Sequence, residues 1–128
     1  MGYRSQVRIV LKKENYNELV EKFKKEISKD NYMFDIKRYD FNYSERDNGN
    51  IVLFGWDDIK WYHEYNDIQC VENYLNELYN KNIPFKIVIV GEDGASEENF
   101  SDCIMEDEEY EEKFNIIQAV SYIDILEE

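Results

Sequence analysis

The fold is decided by the stretch Ile51–Leu78, which reads IVLFGWDDIKWYHEYNDIQCVENYLNEL. It opens with the apolar run Ile51–Phe54, whose length and composition are typical of a strand. Glycine tolerates backbone angles that other residues avoid, so Gly55 is predicted to end this strand in a tight turn. Asp57 or Asp58 is then predicted to cap a short helical turn.

The second half of the stretch predicts an amphipathic helix that begins near Asn66. Its apolar residues recur at steps of three and four, namely Ile68, Val71, Leu75 and Leu78. Pro84 cannot continue a helix, so the helix must end before it. The following run, Phe85–Val90, is almost wholly apolar. That pattern is typical of an interior strand buried on both faces.

Four further features precede this stretch. Tyr3–Leu11 alternates between apolar and polar residues and predicts a half-buried strand, whereas Glu14–Ile27 has helical spacing. Tyr32–Tyr43 predicts a second strand, with a β-bulge near Lys37 where the apolar phase switches. The sequence DNGN at 47–50 predicts a hairpin turn, because Asn-Gly tolerates the positive φ angles of a type I′ turn.

The resulting order β-α-β-β-α-β over residues 1–91 predicts an α+β fold with a ferredoxin-like core. Residues 92–128 are additional, and we expect an acidic loop with one or two further antiparallel strands. The candidate strands are Phe100–Met105 and Phe114–Leu126, the second pairing at a sheet edge. Residues 1–128 contain neither an internal repeat nor a Pro/Gly-rich linker, so a single domain is predicted.

The net charge of −14 lies almost wholly in the second half of the chain. Residues 1–60 hold 12 Lys and Arg against 11 Asp and Glu, whereas residues 61–128 hold 3 against 18. From Glu92 to Glu112 there are 11 acids and no base. Such a field repels nucleic acid and acidic membranes and attracts basic protein surfaces. Direct binding to nucleic acid or to a membrane is therefore not expected.

The sequence favours a cytoplasmic location. Its apolar runs stay shorter than the roughly 18 residues of a membrane-spanning helix, and the first residues lack the apolar stretch of a signal peptide. Cys70 and Cys103 stand in no paired motif, which favours free thiols in a reducing compartment.

Three short motifs carry a resemblance: MGYRS at 1–5, KWY at 60–62 and IVGED at 89–93. Together they resemble a set of small acidic proteins carried by phages and prophages, over most of the chain. The resemblance implies an origin in a mobile element. Small acidic phage proteins include inhibitors of host nucleases, among them anti-CRISPR proteins, so an anti-defence role is what the resemblance implies. It assigns no functional residue.

The acidic C-terminal third gives the leading hypothesis, a non-enzymatic inhibitor that mimics nucleic acid. Its carboxylates would imitate the phosphates of a duplex and block a basic groove of a host nuclease or CRISPR effector. The candidate partner-binding acids are Glu97, Glu98, Asp102, Glu106, Asp107, Glu108, Glu109, Glu111 and Glu112. An immunity or antitoxin protein would use the same physics. The plain alternative is that these acids only keep the protein in solution.

Trp56 and Trp61 are candidate anchors for a partner, because aromatic residues dominate interface energetics. The structural alternative is that they seal the second helix against the sheet. A ligand pocket between the sheet and Trp61 would define another class of function, a small ligand-binding domain.

The sequence gives weaker evidence for catalysis, metal binding or RNA binding. His63 beside Glu64 is a possible acid–base pair, but no nucleophile motif accompanies it, so an enzyme is not predicted. The acidic run lacks the Asp-x-Asp-x-Asp-Gly spacing of a calcium loop, and neither a metal nor another cofactor is predicted. Tyr39, Phe41 and Tyr43 resemble the stacking aromatics of RNA-binding ferredoxin-like sheets, although the basic surface that such binding requires is missing.

Overall fold

A computed structural model describes residues 2–28 and 30–126. Met1, Lys29, Glu127 and Glu128, which the predicted domain 1–128 includes, lie outside the described residues. The fold is α+β, with a five-stranded antiparallel sheet, four helices and a separate two-stranded sheet in the described part of the chain. In chain order the elements are β1 Ser5–Lys12, α1 Lys13–Glu26, β2 Phe41–Arg46, β3 Ile51–Ile59, α2 Asn66–Asn80, β4 Phe85–Gly91, β5 Ser96–Phe100, α3 Cys103–Glu106, α4 Glu108–Phe114, β6 Ile117–Ala119 and β7 Ile123–Ile125.

The large sheet has the strand order β2-β3-β1-β4-β5, and every neighbouring pair is antiparallel. The predicted helices correspond to α1 and α2, and the predicted hairpin joins β2 to β3. Phe85–Val90 was predicted to be an interior strand, and β4 confirms it by pairing with β1 on one side and β5 on the other. The strand β4 is buried on both faces of the sheet, since the consecutive residues Ile87 and Val88 point to opposite faces and both are buried.

One face of the sheet is covered by α1 and α2. Alternate residues of β1 (Val7, Ile9 and Leu11) point to this side and pack with Leu19 of α1 and Val71 of α2. Because side chains alternate along a strand, the intervening residues of β1 must lie on the other face.

That other face is also covered, by the C-terminal segment. Val10 of β1 and Val88 of β4 form a second core with Ile104, Phe114 and Ile117. The prediction of a half-buried first strand is therefore wrong: the sheet lies between two layers, and β1 is buried on both faces. The polar residues expected on an open face are accommodated individually, as where buried Arg8 places Nη2 2.6 Å from Oδ1 of Asp57.

The prediction of a turn at Gly55 is wrong, as is that of a helical turn capped by Asp57 or Asp58. The strand β3 continues through these residues to Ile59. Gly55 pairs in register with Arg8 of β1, and a Cβ atom there would stand 1.9 Å from the carbonyl oxygen of Val7. Glycine inside a strand here marks a close backbone approach rather than a turn.

The prediction of one strand over Tyr32–Tyr43 with a bulge near Lys37 is also wrong. Residues Tyr32–Phe34 form a short 3-10 helix, and the strand begins only at Phe41. The side chain of Asn31 accepts a hydrogen bond from the backbone N–H of Met33 at 2.9 Å, which starts the 3-10 turn.

Two predictions for the C-terminal third need correction. Phe100–Met105 is not a strand: β5 ends at Phe100 and α3 begins at Cys103. Phe114–Leu126 is not one edge strand but the end of α4 followed by the hairpin β6–β7, which lies on the sheet face. The additional strand of the large sheet is β5, which pairs antiparallel with β4.

In residues 2–28 and 30–126, no helix has both the length and the apolar character that crossing a membrane requires.

Candidate functional site

All nine candidate acids are exposed, and three elements carry most of them. Glu97 and Glu98 lie on β5, Glu106 on α3, and Glu108, Glu109, Glu111 and Glu112 on α4. The prediction of an acidic loop is therefore only partly right, because regular elements hold much of this charge. We refer to residues Glu92–Glu112 as the acidic segment.

The acidic segment does not form one continuous surface, because strand alternation separates Glu97 from Glu98. Glu97 pairs with Ile89 and lies on the helix side of the sheet, whereas Glu98 pairs with Val88 and lies on the other side. There Glu98 forms an ion pair with the buried Lys86, at 3.1 Å between Oε1 and Nζ.

The outer surface of α4 is the most concentrated part of the acidic segment. Tyr110 and Phe114 stand four residues apart and face the second core. Helical geometry then turns Glu108, Glu111 and Glu112 toward solvent, and no ion pair is formed by these three within the described part of the chain. We call these three residues the α4 face.

Other acids on and near α4 have structural partners. Asp107 caps the helix, because Oδ1 accepts hydrogen bonds from the N–H groups of Glu109 and Tyr110. Glu109 pairs with Lys113 at 2.8 Å, and Lys113 also lies 3.2 Å from Asp47 in the β2–β3 turn. Binding roles thus fit the α4 face better than Asp107 or Glu109.

Both tryptophans lie in the core. Trp56 is fully buried and Trp61 is 7% exposed, with their ring centroids 5.6 Å apart. The indole N–H of Trp56 donates to the carbonyl oxygen of Met33 at 2.6 Å. This arrangement matches the structural alternative, in which the rings seal the helices against the sheet. With their rings packed in this way, neither offers a surface anchor.

His63 lies on the surface with Nδ1 2.8 Å from Glu72, not against its neighbour Glu64. The carboxylate of Glu72 favours the protonated imidazole by hydrogen bonding and by charge, which raises the pKa of His63 above 6.5. Glu72 lies nine residues after His63, so this pair could not be predicted from neighbouring residues in the sequence.

The aromatics of β2 do not form an open stacking platform. Phe41 and Tyr43 pack against the helix-side core, and the ring of Tyr43 lies 5.2 Å from that of Tyr16. Tyr39 is exposed, but it lies in the loop before β2. The sheet face opposite α1 and α2 is covered by α3, α4 and the β6–β7 hairpin, so the sheet offers no open face on which bases could stack.

A groove that was not predicted from the sequence lies between α2 and β5. It measures about 430 Å³ and has the apolar side chains of Ile87 and Ile89 in its lining. Its polar lining comes from both elements: Glu72, Asn73, Asn76, Tyr79, Glu97 and Asn99. We call it the edge groove. The available signal was the polar stripe of α2, which is also what an ordinary solvated helix face looks like.

Within the described residues, no group of three or more His, Cys, Asp or Glu side chains is placed to hold a metal ion. Both cysteines are buried and free, and burial raises the pKa of the Cys70 thiol to about 11.

Comparison with protein-family models, with curated proteins and with solved structures gives no match.

Proposed function

We propose that this protein is a non-enzymatic inhibitor that presents its acidic segment to a basic groove of a nucleic-acid enzyme. The observation that carries the proposal is the α4 face, where Glu108, Glu111 and Glu112 project outward from a helix packed on the sheet through Phe114. Carboxylates on an ordered helix keep fixed spacings, so they can oppose a row of basic side chains without the cost of ordering a loop.

The wider charge distribution supports the same proposal. Residues 61–128 carry 18 acids against 3 bases, a strong negative field that steers a basic partner toward the protein. The resemblance to phage and prophage proteins favours a host nuclease, such as a CRISPR effector, in the bacterial cytoplasm. An immunity or antitoxin protein acting on a toxin nuclease belongs to the same class of inhibitor.

We further infer that β1 to β4 with α1 and α2 form a ferredoxin-like core. The strand order β2-β3-β1-β4, all antiparallel, supports this assignment. The C-terminal segment would then be an added layer on the face that other members of such folds use for binding, which moves the binding surface outward to α4.

Three matched baits test the proposal by affinity capture from bacterial lysate at low and high salt. The first is the parent, and the second is the variant Glu108→Gln/Glu111→Gln/Glu112→Gln. The third removes the same charge outside the acidic segment, at the exposed residues Glu14, Glu21 and Glu64. We expect nucleic-acid enzymes on the first and third baits at low salt only, since screening weakens exposed charge interactions. Equal capture by all three baits would contradict the proposal.

A further inference from the structure

The strand β5 leaves one edge of the five-stranded sheet without a partner strand in the described part of the chain. Two hydrogen bonds, one beyond each end of β5, show which of its pairs with β4 are hydrogen-bonded. The N–H of Gly91 donates to the carbonyl oxygen of Ala95, and the N–H of Ser101 donates to the carbonyl oxygen of Phe85. In an antiparallel ladder, bonded and non-bonded pairs alternate. Every second residue of β5 therefore turns its backbone N–H and C=O groups away from β4. These residues are Ser96, Glu98 and Phe100.

An open edge of this kind is a template for an added strand. Ser96–Asn99 is exposed along its whole length, and within the described residues nothing outside β4 hydrogen-bonds to the backbone of β5. A peptide that paired here would extend the sheet, and its side chains would alternate between the two faces.

The edge groove receives every second side chain of such a peptide. Its walls are the carboxylates of Glu97 and of Glu72, which also pairs with His63 outside the groove lining. Its lining includes Ile87 and Ile89, and none of the residues that line it is basic. Lysine and arginine combine an apolar stem with a charged tip, so they complement an apolar floor with acidic walls.

The charge of the edge also argues against a second copy of the same chain as the occupant. Pairing β5 with β5 would bring Glu97 and Glu98 of two molecules together, and like charges on neighbouring strands destabilise a sheet. Charge complementarity therefore selects a basic partner.

We propose that β5 binds an extended basic segment of the partner as an added strand, with lysine or arginine side chains in the edge groove. This inference rests on the proposed function and names the form in which the partner is recognised. It uses a surface distinct from the α4 face, so the two can be tested separately.

The probe is a labelled peptide of alternating arginine and valine, acetyl-RVRVRVR-amide, titrated by fluorescence anisotropy at pH 8 and low salt. The control peptide has the same sequence and charge but carries N-methyl groups on its valines, which block strand pairing. Only the unmodified peptide is expected to bind, and it should slow amide exchange at Ser96 and Glu98.

Two protein variants locate the site. Ser96→Pro removes an outward N–H and keeps the bonds to β4, so we expect at least ten-fold weaker peptide binding. Glu72→Gln/Glu97→Gln should weaken it about as much. The triple variant of the α4 face should bind within two-fold of the parent, although it loses three charges.

Three outcomes would overturn the inference. They are equal binding of the N-methyl peptide, unchanged binding by Ser96→Pro, and self-association of the parent that Ser96→Pro abolishes, which would assign the edge to a second copy. If Ser96→Pro unfolds, the N-methyl peptide and the double glutamine variant still decide the question. Loss of enzyme capture by the α4 variant with no peptide effect at β5 would leave the proposed function standing without this inference.

Discussion

The backbone of Gly55 lies directly against the carbonyl oxygen of Val7, and a Cβ atom at residue 55 would stand 1.9 Å from that oxygen. Here the central strand β1 and its neighbour β3 pair in regular register, with Gly55 opposite Arg8, and the register shifts only beyond Val7. A side chain at residue 55 would force them apart.

Gly55→Ala is therefore expected to lower the free energy of unfolding by about 2–4 kcal/mol, measured by urea denaturation. Gly94→Ala is the matched control, because Gly94 also has positive φ but has no atom within 4 Å of the added Cβ. Its cost should stay near the roughly 1 kcal/mol of a left-handed alanine. Equal losses from both substitutions would show that backbone angle, not close approach, selects glycine at residue 55.

The two buried tryptophans should respond differently to phenylalanine. The indole N–H of Trp56 is bonded to Met33, whereas that of Trp61 has no hydrogen-bond partner within the described residues. Both substitutions lose ring volume, but only Trp56→Phe leaves a buried carbonyl unsatisfied, at a cost of about 1–2 kcal/mol. We expect thermal unfolding to show a clearly larger loss for Trp56→Phe. The reverse order would contradict the assigned role of the Trp56 bond.

The second core should contribute as strongly as the first. Phe114 is 1% exposed and holds α4 on the sheet, so Phe114→Ala is expected to cost about 3–5 kcal/mol. Met105 of α3 is 60% exposed, and Met105→Ala is the control, with an expected change below about 0.5 kcal/mol. A small effect at Phe114 would mean that the C-terminal layer is peripheral to folding.

His63 is the one histidine in the sequence, so its titration can be followed without ambiguity by NMR. Because Glu72 raises the folded-state pKa, the pair stabilises the protein fully below the unfolded pKa of 6.5. That contribution is lost as pH rises through the folded-state pKa. Glu72→Gln should return the pKa toward 6.5, whereas Glu64→Gln should change it much less, since Glu64 acts on the imidazole by charge alone and forms no hydrogen bond with it. An unchanged pKa in Glu72→Gln would rule out the pair in solution.

Local pattern was enough to predict α1, α2, the β2–β3 hairpin and β4. Those elements combine clear periodicity with recognisable ends, such as Pro84 after α2. It failed where tertiary contact decided the outcome. Gly55 was predicted to form a turn because its close contact with the backbone of Val7 cannot be seen in the sequence. Met33 belongs to a 3-10 turn, and its carbonyl oxygen accepts a hydrogen bond from Trp56 on a distant strand.

The C-terminal third was mispredicted for a related reason. Its apolar residues, such as Ile117 and Ile123, do not extend the sheet but cover its second face, and β-branched composition alone does not distinguish these arrangements. The nine candidate acids are exposed in the structure. Their division between β5 and α4, and the capping role of Asp107, depend on where helices and strands begin.

If the proposed function is right, the α4 face occupies the groove in which the partner enzyme binds nucleic acid. The most direct test displaces a labelled DNA or RNA duplex from the captured enzyme by titration with parent protein, the Glu108→Gln/Glu111→Gln/Glu112→Gln variant and the Glu14→Gln/Glu21→Gln/Glu64→Gln control. We predict that parent and control displace the duplex at similar concentrations and that the α4 variant requires at least ten-fold more. Displacement by all three at the same concentration, or capture with the duplex still bound, would contradict the claim.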